Sequence, residues 1–127
     1  MASLRALEAA DLVKCGKPQG AYYLGGLAVE CALKACIAKK TRRHEFPDAR
    51  YARDVHTHIL QDLLKLADLH RALEGELRKR PQLGINRGIV ESWRVESRYE
   101  ISRLNGRGMV DAVNSPDGVL QWIKLYW

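Results

Sequence analysis

The stretch from Gly20 to Lys40, GAYYLGGLAVECALKACIAKK, constrains the fold more than any other part of the chain. It contains no proline, and at about 100° per residue its apolar side chains cover nearly every face of a helix. A helix that is apolar all round is stable in water only when other elements surround it. The stretch therefore predicts the central helix of a bundle.

The rest of the chain shows further helical patterns and no clear strand alternation. We expect an aperiodic, basic loop over residues 41–56, and a turn or a flexible break at Asn105–Gly108. The other expected helices are a first one from Ser3, its N-cap, to Cys15; an amphipathic third from Thr57; a fourth over Arg71–Arg80, kinked at Pro81 and continuing to Trp93; and a terminal one from Pro116. These patterns predict an all-α fold, an antiparallel up-and-down bundle of four or five helices, with residues 1–127 in one domain.

Cysteine usage and hydropathy indicate where in the cell the protein is located. The three cysteines, Cys15, Cys31 and Cys36, are odd in number and lack CxxC spacing, which is typical of reduced core cysteines in a cytoplasmic protein. The first residues contain no long apolar run, so no signal peptide is expected. Because Glu30 and Lys34 interrupt the central stretch, we expect no membrane span.

The charge balance favours an anionic partner. The chain has a formal net charge of +6, and arginine supplies more of the basic residues than lysine. The planar guanidinium matches phosphate geometry, so this composition is typical of phosphate-binding proteins. A soluble surface with a modest excess of base explains the same composition equally well.

Glu30 and Lys34 are the only charges inside the central helix before its last turn, and their spacing places them on one face. An ionisable pair on an apolar helix needs partners. Two interpretations remain open. The pair ties the helix to Arg98 or another arginine, or it lines a pocket and contacts a ligand.

Two histidines precede the third helix. His56 and His58 have HxH spacing, but no third ligand is apparent, so we predict neither a metal site nor a cofactor. Arg53 and His58 stand five residues apart, and a histidine base with an arginine that stabilises phosphorane charge suffices for metal-independent RNA cleavage. This pair is the candidate catalytic set if the protein is an enzyme.

Arginines also recur late in the chain, interleaved with Trp93 and Tyr99. On a helix they would form a basic stripe that holds phosphates while an aromatic ring stacks on a base. The acids among them, Glu91, Glu96 and Glu100, fit a salt-bridged, solvated face equally well. The arginines in question are Arg94, Arg98, Arg103 and Arg107.

Several segments together resemble the HEPN (higher eukaryotes and prokaryotes nucleotide-binding) family. They are AYYLGGLAVECALKACIAKK, VHTHILQDLLKLA, NRGIVESWRVESRYE and the tail GVLQWIKLYW. The resemblance implies a helical up-and-down bundle, usually a homodimer, similar to the substrate-binding domain of kanamycin nucleotidyltransferase. Many members are encoded beside a minimal nucleotidyltransferase, and some are RNases or toxins of toxin–antitoxin or defence systems. The positions that match are Glu30, Lys34, His56, Trp93, Arg98 and Tyr99.

The chain departs from the pattern of the family's RNases at one point. Those enzymes carry an arginine and a histidine with four to six residues between them, late in the bundle, whereas no histidine follows Arg94 or Arg98 here. We therefore favour a non-catalytic, cytoplasmic, homodimeric protein. Its Arg94, Arg98, Tyr99 and Lys34 would bind a nucleotide or RNA phosphate, or the protein would dock a separate nucleotidyltransferase chain. The alternative is a divergent RNase toxin that uses Arg53 and His58.

Overall fold

A computed structural model describes residues 1–43 and 53–127, and the regular elements in these two ranges are all helical. The all-α prediction is confirmed. This part of the chain contains more helices than the four or five expected. The expected kinked helix is two helices, and a 3-10 helix follows them. The helices are α1 (Ala2–Lys14), α2 (Pro18–Arg43), α3 (Leu60–Leu66), α4 (His70–Lys79), α5 (Pro81–Glu91), a 3-10 helix (Val95–Tyr99), α6 (Gly106–Asn114) and α7 (Val119–Ile123).

Helix α2 is the centre of the fold, as its apolar pattern predicted. It packs against α1, α3, the 3-10 helix, α6 and α7. Its side chains Ala28, Val29, Leu33 and Ile37 are buried in the main hydrophobic core. The helix begins at Pro18, where Lys17-Pro18 predicted its start, since proline suits the first turn of a helix. Its end at Arg43 lies beyond the predicted one, so residues 41–43 belong to the helix and not to the expected loop.

Helix starts account for most of the differences from the sequence predictions. Helix α1 begins one residue before Ser3, with the backbone N–H of Arg5 donating to the carbonyl of Met1, so Ser3 is not the cap. Helix α3 begins at Leu60 rather than Thr57, whose hydroxyl accepts a hydrogen bond from the Ile59 N–H. Side-chain acceptors of this kind favour turns over helix.

Two further breaks have local causes. The expected kinked helix is two helices, because Arg80, which precedes a proline, has φ −130° and ψ 80°. The terminal helix begins at Val119 instead of Pro116, after a turn closed by a hydrogen bond from the Gly118 N–H to the Ser115 carbonyl. Asn105 caps α6 by accepting from the Gly108 N–H, so the expected turn or break at this position is a helix start.

Part of the predicted basic loop, residues 44–52 with Arg50, lies outside the described residues.

Of the cysteines, Cys36 is buried and Cys31 half-buried, whereas Cys15 is exposed and does not belong to the core. Burial raises the pKa of both the Cys31 and Cys36 thiols, and the charge of Glu30 adds to the effect at Cys31. Both core thiols are therefore protonated and weakly reactive at neutral pH.

Within the described ranges, one helix is long and apolar enough to cross a membrane. It is the segment Pro18–Thr41 of α2, and 56% of its most apolar window is buried inside the fold. The buried core helix of a soluble bundle has the same length and apolar composition as a membrane-spanning helix.

Candidate functional site

A buried carboxylate on α2 contacts two basic side chains. One oxygen of Glu30, Oε1, lies 2.8 Å from Nζ of Lys34 and 2.8 Å from Nδ1 of His58. The Glu30 side chain is 5% exposed, whereas that of Lys34 is 30% and that of His58 is 50% exposed. We call these three residues the Glu30 cluster. Its acid is buried and its bases reach solvent.

The contact with Glu30 fixes the orientation of His58. A carboxylate only accepts hydrogen bonds, so Nδ1 of His58 carries the hydrogen that points at Oε1. The other ring nitrogen, Nε2, is then the acceptor in the neutral ring, on a side chain that is half exposed. The second oxygen of Glu30, Oε2, is buried without a hydrogen-bond partner among the described residues. This arrangement is typical of an oriented acid–base histidine as well as of a structural ion pair.

Trp93 lies against the same helix but belongs to the core. It is fully buried, and its ring stacks on Tyr23 with the ring centres 6.1 Å apart. A Cβ atom on Gly26 would lie 2.2 Å from the indole, so the ring rests directly on the α2 backbone. The ring of Trp93 is therefore not available to stack on a ligand, whereas Tyr99, the other aromatic residue among the predicted site residues, is exposed.

The segment from residue 94 to residue 107, which we call the arginine segment, exposes four guanidinium groups. Arg94 donates from Nη1 to the carbonyls of Glu91 and Trp93, and Arg98 lies over the ring of Tyr99, 4.7 Å from its centre. Tyr99 is itself 72% exposed. None of Arg94, Arg98, Arg103 and Arg107 forms an ion pair with a carboxylate in the two described ranges.

The neighbouring acids, Glu91, Glu96 and Glu100, form no ion pair with these arginines in the described ranges. Glu91 pairs with Arg87 one turn earlier in α5, at 2.6 Å. Glu100 accepts a hydrogen bond from the Ser102 N–H, and its hydrogen bonds with Ser102 lower the pKa of this exposed carboxyl. The salt-bridged face that the sequence also allowed is not what the structure shows. The segment comprises a 3-10 helix, a loop and the first residues of α6, so its arginines do not form a stripe along one helix.

The remaining predicted residues lie elsewhere. The side chain of the exposed His56 forms no hydrogen bond or ion pair with the Glu30 cluster, and Arg53 lines an open groove of about 510 Å³ with Thr57 and Lys65. His58 does not line that groove, so Arg53 and His58 have separate surroundings. Nowhere in residues 1–43 and 53–127 do three metal-ligating side chains cluster.

The structure thus brings Glu30 and Lys34 together as the spacing predicted, but their partner is His58 rather than an arginine. Sequence reasoning missed this partnership, because no local signal links His58 to a residue on α2 so far away in the chain. Comparison with known proteins adds nothing to these contacts: no protein-family model, no curated protein and no solved structure matches the chain.

Proposed function

We propose that this protein binds single-stranded RNA through the arginine segment. One observation carries the proposal: four exposed guanidinium groups within fourteen residues lack a carboxylate partner in the described parts of the chain, beside an exposed Tyr99. Arginines that form no internal ion pair remain available to phosphates, which they bind with two parallel hydrogen bonds.

The geometry around Tyr99 favours a single strand over a duplex. The aromatic ring of Tyr99 is exposed, and the Arg98 guanidinium lies over it, 4.7 Å from the ring centre. Unpaired bases stack on such aromatic and guanidinium planes, whereas the bases of a duplex are stacked on one another. We expect the phosphates next to a stacked base to contact neighbouring arginines of the segment.

The resemblance to the HEPN family fits this proposal and extends it. We include in the proposal an up-and-down bundle arrangement, a homodimeric state, a cytoplasmic location and a role in a toxin–antitoxin or defence module. A separate nucleotidyltransferase chain is the proposed protein partner. Lys34, at the exposed edge of the Glu30 cluster, is the additional candidate for a phosphate contact.

Fluorescence anisotropy with a labelled, unstructured RNA tests the proposal. We expect Arg98→Ala to weaken binding about tenfold, because a charge-assisted hydrogen bond to phosphate is lost. Tyr99→Ala is expected to weaken it about tenfold through lost stacking, and Tyr99→Phe to have little effect.

The matched control is Arg78→Ala, which removes an exposed arginine of α4 that also has no ion pair in the described ranges. It lowers the net charge by the same amount as Arg98→Ala. Equal loss of affinity in the two variants would mean that RNA responds to net charge alone. That result, or no measurable RNA binding by the wild type, would refute the proposal.

A second candidate function rests on the His58 contact. Because Glu30 holds Nδ1 of His58, the opposite nitrogen is positioned as a general base at the surface. A general base of this kind is what a metal-independent RNase requires, with Arg53 as the candidate for stabilising phosphorane charge. Arg53 forms no hydrogen bond with His58 and lines a groove that His58 does not, so this function needs an approach of the two residues on substrate binding.

RNA degradation by wild type and His58→Ala separates the two functions. The RNase function requires cleavage by the wild type and its loss in His58→Ala, whereas His56→Ala, the matched exposed histidine, should retain it. Absence of cleavage by the wild type, with RNA binding intact, leaves the protein as a binding protein and excludes the second candidate.

A further inference from the structure

A cavity of about 440 Å³ opens where the end of α1 and the start of α2 meet the start of α6. Its walls combine two exposed arginines with apolar side chains, and no carboxylate contributes to them. The lining residues are Val13, Gly16, Pro18, Arg103, Leu104, Asn105, Gly106 and Arg107. The volume falls within the range of about 300–1,000 Å³ that small-ligand sites occupy.

The cavity is built by a close backbone contact. A Cβ atom on Gly106 would lie 2.3 Å from the carbonyl oxygen of Pro18, so only glycine allows the start of α6 to approach α2 this closely. Gly16, with φ 70°, supplies the left-handed turn between α1 and α2. Both glycines are therefore needed to bring Arg103 and Arg107 to the same cavity as the α1–α2 turn.

The two arginines of the cavity form no ion pair. None is found for Arg103 or Arg107 in the part of the chain that the structure describes, and Asp11 on α1 is paired with Lys14. Two guanidinium groups therefore line one partly open cavity. The apolar side chains Val13 and Leu104 form the other part of its wall.

We infer that this cavity binds a terminal phosphate monoester of the RNA, an inference that rests on the proposed RNA binding. A monoester carries a charge of about −1.5 to −2 at neutral pH, whereas an internal diester carries one negative charge. The two positive charges of Arg103 and Arg107 match the charge of the monoester. An internal phosphate also continues into chain on both sides, whereas a strand end enters a cavity and places its terminal ribose against Val13 and Leu104.

The test compares one unstructured RNA, labelled on an internal base, in three forms: with a 5′-phosphate, with a 3′-phosphate and with hydroxyls at both ends. Wild type is expected to bind one phosphorylated form about tenfold more tightly than the unphosphorylated one. The double variant Arg103→Ala/Arg107→Ala should bind all three forms equally. Arg78→Ala should keep the preference, and circular dichroism checks that each variant is folded.

Equal affinity of the wild type for the three forms would overturn the inference and leave the proposed RNA binding intact. If no RNA binds, calorimetry that compares adenosine 5′-monophosphate with adenosine tests separately whether the cavity binds a phosphate monoester. Binding of the monophosphate alone, lost in the double variant, would support the cavity while the proposed function fails. No binding of either compound would overturn both.

Discussion

Gly26→Ala is expected to lower the free energy of unfolding by about 3 kcal/mol. The added methyl group would lie 2.2 Å from the indole of Trp93, which is fully buried and stacked on Tyr23. Moving a buried Trp ring forfeits part of the roughly 3–5 kcal/mol that it contributes, and the better helix propensity of alanine returns only about 1 kcal/mol. Urea denaturation measures the difference.

Two other helical glycines provide the matched controls. A Cβ atom at Gly75 in α4 or at Gly88 in α5 meets no described atom within 4 Å. Both alanine variants should therefore gain about 0.5–1 kcal/mol from helix propensity. A Gly26→Ala protein as stable as these controls would show that Trp93 does not rest on the α2 backbone.

Removing both bases of the Glu30 cluster is expected to cost more than the sum of the single changes. Lys34→Ala or His58→Ala alone leaves one partner on Oε1 of Glu30, so each should cost about 1 kcal/mol. The double variant leaves a buried carboxylate uncompensated, and we expect a loss of about 3–5 kcal/mol. A double-mutant cycle by urea denaturation gives the coupling.

The control for this prediction adds Glu30→Met to the double variant. Methionine has a similar volume and no charge, so much of the lost stability should return, because the uncompensated buried carboxylate is removed. Strict additivity of Lys34→Ala and His58→Ala would contradict the assigned geometry, in which both bases share one oxygen of Glu30.

The sequence predicted the features that depend on local pattern. The all-round apolar stretch identified α2 as the central helix, and the four-residue spacing of Glu30 and Lys34 identified their contact. It did not predict His58 as the third member of the cluster. That contact depends on where residues before α3 fold back onto α2, which no short-range pattern encodes.

Trp93 and Arg107 illustrate the same limit. Trp93, placed by spacing among surface aromatics, is fully buried because Gly26 leaves room for its ring on α2. Arg107 belongs to a cavity because Gly106 lets α6 approach Pro18, a contact between residues far apart in the chain. Sequence spacing orders side chains along one helix, but it does not determine which helix will face them.

The salt dependence of RNA binding tests the central claim most directly. Each arginine that contacts a phosphate of a single strand contributes about −0.7 to the slope of log K against log salt concentration. The triple variant Arg98→Ala/Arg103→Ala/Arg107→Ala should therefore show a slope smaller in magnitude by about 2 than that of the wild type, whereas Arg78→Ala leaves it unchanged. An unchanged slope in the triple variant would contradict the claim that these unpaired guanidinium groups bind the phosphates.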